Sequence, residues 1–127
     1  MKTILLIEDN KGILENLSEF LTLEGYQVLM AMDGKKGLDL ALQFVPDLIV
    51  CDVLMPEMDG HEVLQALLQT GKTSEIPFIF STSRSEKTNV REAMLGGADD
   101  YIVKPYEPEL LLELIKTRLR QGTRRQR

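Results

Sequence analysis

Five short apolar runs alternate with amphipathic stretches along this 127-residue chain, and no other feature constrains its fold as strongly. The runs are rich in aliphatic and β-branched residues, a pattern typical of buried strands. They cover Thr3–Ile7, Gln27–Ala31, Leu48–Cys51, Ile76–Ser81 and Tyr101–Val103. Regular alternation of strands and helices at this length predicts a parallel sheet covered by helices on both faces. We therefore expect one α/β domain, with the less apolar second strand at an edge of the sheet.

The amphipathic stretches are bounded by residues that start or stop helices. Gly25 and the pair Gly96-Gly97 are typical of helix C-termini, and Pro46 stops the second helix. The segment Ser83–Glu86 fits a capping box at the start of the fourth helix. We predict five helices, at 10–24, 35–44, 60–70, from this capping box to Gly96, and from Glu107 to about Arg120.

The charge of the chain is unevenly distributed. The net charge is −5, although the last ten residues hold five arginines and no acid. The remainder therefore carries 20 acids against 10 bases, and such an acidic body argues against direct nucleic-acid binding. We expect a single domain over residues 1–121, followed at 122–127 by a basic tail or the start of a linker.

Hydropathy and cysteine content predict a cytoplasmic protein without a membrane partner. No apolar run approaches the roughly 20 residues of a membrane helix. The run Ile4–Ile7 is too short for the apolar region of a signal peptide. The single cysteine, Cys51, cannot form an internal disulfide, which agrees with a reducing compartment.

Polar side chains stand where four of the predicted strands end. Glu8 and Asp9 follow the first strand, Asp52 the third, Thr82 the fourth and Lys104 the fifth. Because the carboxyl ends of parallel strands share one edge of a sheet, we expect these residues to converge on one shallow site. The sequence therefore predicts three carboxylates, a hydroxyl and an ammonium in close proximity.

Three neighbouring carboxylates repel each other, so one should hold a proton unless a cation joins them. Mg²⁺ suits this set best, since it prefers oxygen ligands and uses one or two carboxylates together with a phosphate oxygen. No histidine or cysteine stands among these residues, which disfavours zinc. A carboxylate that accepts a phosphoryl group needs such a metal and a lysine to neutralise the phosphoryl oxygens.

At these positions the chain resembles the receiver domain of bacterial two-component response regulators. The matching segments are Ile4–Asn10, Pro46–Gly60, Pro77–Ser83 and Gly97–Tyr106, and the similarity runs from residue 2 to about residue 121. The resemblance implies a flavodoxin-like, doubly wound sheet of five parallel strands in the order 2-1-3-4-5, with five helices. It also implies a switch that catalyses only its own phosphorylation and slow dephosphorylation, rather than a turnover enzyme.

The resemblance assigns roles residue by residue. Asp52 would accept a phosphoryl group from a histidine of a partner kinase or phosphotransfer protein. Asp9, Asp52 and the backbone carbonyl of Leu54 would bind Mg²⁺ directly, and Glu8 would act largely through a metal-bound water. Lys104 would contact the phosphoryl group and pair with a carboxylate.

The resemblance further implies a conformational switch and a cis peptide bond. Thr82 would hydrogen-bond a phosphoryl oxygen, with Tyr101 as the coupled aromatic, although a half-buried strand position explains Tyr101 equally well. The bond Lys104-Pro105 would be cis, which proline makes accessible. Three departures from the family pattern are Glu8, where aspartate is commoner, Ser83, where alanine is commoner, and Tyr106, where phenylalanine is frequent.

The last helix carries a broad apolar stripe of about 200°. Either its excess leucines bury against neighbouring helices, or they form a partner surface. The segment Lys104–Arg120 resembles that of receivers attached to winged-helix DNA-binding domains. This resemblance suggests a homodimer, favoured by phosphorylation, through the fourth helix, fifth strand and fifth helix.

Three other functions compete with the switch. An aspartate-nucleophile phosphatase usually needs a second acid two residues after the nucleophile, where this chain has Leu54. A flavin-binding module of the same fold would want a hydroxyl- and glycine-rich phosphate loop where Glu8 and Asp9 stand. A receiver-like module that binds partners without phosphorylation would not need the complete acidic set.

Overall fold

The computed structural model describes residues 1–83 and 94–124 of the chain. Within this part, five strands form one parallel sheet in the order β2-β1-β3-β4-β5, which confirms the expected topology. The strands are β1 Thr3–Ile7, β2 Gln27–Ala31, β3 Leu48–Asp52, β4 Phe78–Ser83 and β5 Asp100–Lys104. The described helices are α1 Lys11–Leu23, α2 Gly34–Phe44, α3 Gly60–Leu68 and the C-terminal helix Pro108–Gln121. The predicted fourth helix lies mostly outside the described residues.

The alternation of side chains along the central strands divides the core into two layers. On one face, Leu5 and Ile49 pack in a cluster with Ala41 of α2 and Leu64 of α3. On the other face, a second cluster joins Ile4, Leu6, Leu48 and Val50 to α1 and the C-terminal helix. Every residue of β3 is buried, as expected for a strand covered by helices on both sides.

Strand β4 begins two residues later than predicted, at Phe78. Pro77 has no N–H to donate, and its carbonyl accepts a hydrogen bond from Ile49. At the other end, pairing with β5 continues to Ser83, which lies opposite Lys104. The expectation that Thr82 follows the strand is therefore wrong, because this pairing keeps it inside β4.

Short polar side chains begin three of the helices. Asn10, Asp33 and Asp59 each accept a hydrogen bond from a backbone N–H in the first turn of α1, α2 and α3, respectively. Asp59 and Glu62 form a reciprocal capping box, which starts α3 immediately after the loop that follows Asp52.

The broad apolar stripe of the C-terminal helix is mostly covered by the rest of the domain. Leu111, Leu112 and Ile115 are buried in the cluster that this helix shares with α1. Leu114 and Leu119 are partly buried against that cluster. Leu110 remains 54% exposed. The burial alternative therefore accounts for most of the stripe. Helical spacing with Leu14 and Leu17 predicts that Ile13 of α1 faces inward, yet its side chain is 37% exposed because it borders a surface groove.

The segment after the C-terminal helix returns to the amino edge of β5. The Thr123 hydroxyl donates to Asp99 Oδ1 across 2.7 Å, and the backbone N–H of Arg124 donates to the same oxygen. The second oxygen of Asp99 accepts from the backbone N–H of Phe78. Asp99 thus joins the starts of β4 and β5 to residues 123 and 124. In the described ranges, 1–83 and 94–124, no helix has the length and apolar character needed to cross a membrane.

Candidate functional site

The register of the sheet brings the predicted polar residues to one edge. Ile7 of β1 lies opposite Cys51 of β3. Glu8 and Asp52, which directly follow these two residues, therefore stand side by side. Asp52 in turn lies opposite Ser81. Lys104 is the last residue of β5. The carboxyl ends of three neighbouring strands and of β5 therefore meet, as parallel pairing requires.

One ammonium group joins two buried carboxylates at this edge. Lys104 Nζ lies 2.8 Å from Glu8 Oε1 and 3.0 Å from Asp52 Oδ1. Glu8 and Asp52 are each only 4% exposed. The second oxygen of Glu8 accepts a hydrogen bond from the backbone N–H of Asn10, which orients this carboxylate toward the site.

Asp9 completes a group of three carboxylates. Glu8, Asp9 and Asp52 each offer one oxygen, and these oxygens lie within 4.8 Å of one another. Asp9 is exposed, whereas the other two are buried. Asp9 is therefore the solvent-exposed member of the group.

The pKa values of the two buried acids are shifted in opposite directions. Burial, together with the hydrogen bond and the negative charge of Glu8, raises the pKa of Asp52 to about 8, and Lys104 only partly opposes this rise. Burial also acts to raise the pKa of Glu8, but hydrogen bonds from Asp52 and Lys104 bring it below its ordinary value. The direction of the Asp52 shift agrees with the expectation that repulsion among the carboxylates favours a proton on one of them.

The donor set of this cluster suits a hard divalent cation. Three carboxylates supply only oxygen ligands, and a cation would relieve the repulsion that keeps a proton on Asp52. Asp52 Oδ1 is buried and receives no hydrogen bond in good alignment among the described residues, its ion-pair contact with Lys104 aside. The cluster could therefore hold a metal ion.

The predicted switch residues have contrasting environments. Thr82 is 2% exposed, and its hydroxyl donates to the backbone carbonyl of Ser83 across 3.1 Å. Tyr101, on the edge strand β5, is 38% exposed. Leu54 lies in the loop after β3 with its side chain 60% exposed. The roles assigned to these three residues stay predictions.

Two hydroxyl groups near the site escaped the sequence analysis as functional residues. Ser81 lies opposite Asp52 in the sheet, and Tyr106 follows the Lys104-Pro105 bond, which is cis as expected. Both residues line a small cavity beside Glu8 and Asp52. The signal available in the sequence was the tyrosine at a position where phenylalanine is frequent.

Comparison with known proteins identifies the kind of domain. A family model described as "Response regulator receiver domain" matches residues 4–116. The DNA-binding dual master transcriptional regulator RpaA of Synechocystis sp. is 37% identical over 124 residues, covering 98% of this chain and 52% of the relative. The transcriptional regulatory protein AfsQ1 of Streptomyces coelicolor is 40% identical, covering 98% of this chain and 54% of the relative. The chain thus spans about half the length of these curated relatives.

Solved structures share the same fold. The signal receiver domain of a signal transduction histidine kinase from Syntrophus aciditrophicus matches with a TM-score of 0.87 at 33% identity. The match covers 99% of this chain and 96% of that one. The two chains therefore resemble each other in both sequence and fold along nearly their whole length.

Proposed function

Since the chain belongs to the response regulator receiver family, a family of phosphoacceptor switches in two-component systems, we propose that Asp52 is its phosphoacceptor. The phosphoryl group comes from a histidine of a partner kinase or phosphotransfer protein. The bond between the donor nitrogen and phosphorus breaks, and a bond forms between phosphorus and an oxygen of Asp52. The observation that carries this proposal is the contact of Lys104 with both Glu8 and Asp52, at 2.8 and 3.0 Å.

The neighbouring residues divide the work of accepting the phosphoryl group. Lys104 carries the positive charge that neutralises phosphoryl oxygens. Thr82, in the strand beside Asp52, donates a hydrogen bond to one of these oxygens. Asp52 must lose its proton to act as the nucleophile, since only the carboxylate has the electron pair that forms the new bond.

Mg²⁺ is the proposed cofactor. Asp9, Asp52 and the backbone carbonyl of Leu54 would hold it directly, and Glu8 would hold it through a water. When bound, Mg²⁺ supplies charge neutralisation for the carboxylates and for the incoming phosphoryl oxygens. The support for this assignment is the group of three carboxylates with oxygens within 4.8 Å.

The domain acts as a switch rather than as a turnover enzyme. The acyl phosphate is lost slowly by hydrolysis, and no other substrate is transformed. While it persists, it biases a surface that includes Tyr101 between two arrangements, through Thr82. This role agrees with the burial of Thr82 and the exposure of Tyr101.

We also propose that the phosphorylated chain forms a homodimer. The surface combines the fourth predicted helix, β5 and the C-terminal helix, where Tyr101 and Leu110 are exposed. Light scattering before and after phosphorylation tests it, and an unchanged monomer after full phosphorylation would contradict it.

Intact-mass measurement tests the phosphoacceptor itself. The chain is incubated with acetyl phosphate and Mg²⁺, and we expect a gain of one phosphoryl group. No gain should occur without Mg²⁺ or in Asp52→Asn. Asp39→Asn is the matched control, because Asp39 is an exposed helical acid of α2 that pairs with Lys35, and this variant should label normally. Labelling that persists in Asp52→Asn would disprove the assignment.

A further inference from the structure

A small cavity lies beside the acidic cluster, within the sheet edge. It has a volume of about 10 Å³, and four of its lining residues carry polar side chains: Glu8, Asp52, Ser81 and Tyr106. The other four lining residues are apolar. A cavity of roughly this volume holds one water when two to four polar groups can bind it. The size and lining therefore match a single bound water.

Ser81 provides a buried hydroxyl that needs a partner. It is 4% exposed, and no group among the described residues stands in hydrogen-bond alignment with its Oγ. A buried hydroxyl without a hydrogen bond is destabilising, because it has lost its bonds to water. Because Ser81 lies opposite Asp52 in the sheet, a molecule bound to its hydroxyl is next to the phosphoacceptor.

Tyr106 forms part of the wall of this cavity. It also lines a surface groove of about 270 Å³ between α1 and the segment that follows β5, so its ring forms part of the wall between groove and cavity. Its phenol lies close to the Ser81 hydroxyl, although the two groups do not meet in hydrogen-bond alignment. Burial raises the pKa of Tyr106 to about 12, while the charge of Lys104 and an interaction with Ser81 oppose the rise.

We propose that one water in this cavity links the hydroxyls of Ser81 and Tyr106 to the carboxylate of Asp52, and that Tyr106 is a positioning residue for phosphorylation. This inference rests on the proposed role of Asp52. The three polar groups supply the hydrogen bonds that a buried water requires. Through the water, the two hydroxyls fix the orientation of the Asp52 carboxylate before the phosphoryl group arrives.

Loss of either hydroxyl removes one of the hydrogen bonds that hold the bridging water. A net hydrogen bond is worth about 1 kcal/mol, which corresponds to about a fivefold change in rate. We expect Tyr106→Phe and Ser81→Ala each to slow labelling by acetyl phosphate about fivefold. Because both act through one water, the double variant should be no slower than the single variants.

The experiment measures initial labelling rates by intact mass at saturating Mg²⁺ for the wild type, both single variants and the double variant. Tyr26→Phe is the control, since Tyr26 loses the same hydroxyl at a half-buried position outside the site. A high-resolution crystal structure of the wild type should show an ordered water within about 3.2 Å of Ser81 Oγ. The control should label at the wild-type rate.

The outcomes separate this inference from the function on which it rests. Wild-type labelling with unchanged rates in both single variants would overturn the inference alone. Effects that multiply to about 25-fold in the double variant would overturn the shared water, as would a crystal structure with no water at Ser81. A wild type that cannot be labelled would overturn both proposals together.

Discussion

Lys104 donates a hydrogen bond to Glu8 across 2.8 Å, and this contact joins the end of β5 to the residue that follows β1. The two residues are 96 positions apart in the chain. Burial acts to lower the pKa of Lys104, but the hydrogen bond to Glu8 and the charge of Asp52 raise it above the ordinary value. The ammonium therefore stays charged and holds two strand ends together.

Replacing this ammonium should destabilise the metal-free protein. Lys104→Met leaves Glu8 and Asp52 buried without a counter-charge, and we expect a loss of about 1–3 kcal/mol in the free energy of unfolding. Urea denaturation in the presence of EDTA measures it. The control is Lys35→Met, because Lys35 pairs with Asp39 on the exposed surface of α2 and such pairs contribute little. Equal losses in both variants would contradict the structural role of Lys104.

The raised pKa of Asp52 predicts a pH dependence of stability without metal. The folded-state pKa is about 8, above the roughly 3.9 of an unfolded chain. The folded protein thus keeps a proton that the unfolded chain has lost, and the contribution of Asp52 is complete below about pH 4. It declines as pH rises and is lost above about pH 8. Between pH 6 and 8 in EDTA, wild type should therefore lose stability relative to Asp52→Asn.

Denaturation of both proteins at several pH values checks this sign, and parallel pH profiles would contradict it.

The affinity for metal should depend on the same proton of Asp52. Since Mg²⁺ needs the ionised carboxylate, its affinity should rise with pH up to about pH 8 in calorimetric titrations. An affinity that is constant from pH 6 to 8 would show that Asp52 is already ionised without metal.

Gly60 should not tolerate a side chain. A Cβ at this position would meet the backbone carbonyl oxygen of Asp52 and would lie 2.7 Å from Phe80 Cε1. Both neighbours are buried, so Gly60→Ala should cost about 1–3 kcal/mol and slow labelling of Asp52. Gly71→Ala is the matched control, because a Cβ added there would have no neighbouring atom within 4 Å. Similar denaturation midpoints for the two variants would refute this close packing.

Residues 123 and 124 should be ordered on the amino edge of β5. Thr123→Val removes the 2.7 Å hydrogen bond to Asp99 while keeping the shape of the side chain. We expect backbone order parameters of about 0.85 at these residues in the wild type and a fall toward about 0.6 in the variant. Thr22→Val, at an exposed position of α1, should leave them unchanged. Wild-type values already below about 0.6 would rule out this docking.

The topology was predictable because it follows from local patterns. The strand runs alternate with capped helices, and βα alternation leaves few alternatives to a parallel sheet. The burial of Cys51 in the third strand and the cis bond before Pro105, which the family resemblance implied, are both confirmed. The strand order came from the family resemblance, since alternation by itself does not determine it.

The errors concern positions where tertiary pairing overrides local signals. Thr82 lies inside β4 because β5 pairs with it as far as Ser83, and no local signal marks that extension. Ile13 has helical spacing with the buried Leu14 and Leu17, yet it borders a groove instead of the core. The roles of Leu54 and Tyr101 and the boundary at residue 121 stay predictions.

By itself, the sequence determined which chemical groups stand at the ends of β1, β3 and β5: Glu8, Asp9, Asp52 and Lys104. Only the tertiary structure decided how they interact. Parallel pairing puts Lys104 between Glu8 and Asp52, and the combined burial raises the pKa of Asp52 to about 8. It also brings Ser81 and Tyr106 to one cavity beside these acids. Distances and burial depend on contacts between segments far apart in the chain, which local patterns do not encode.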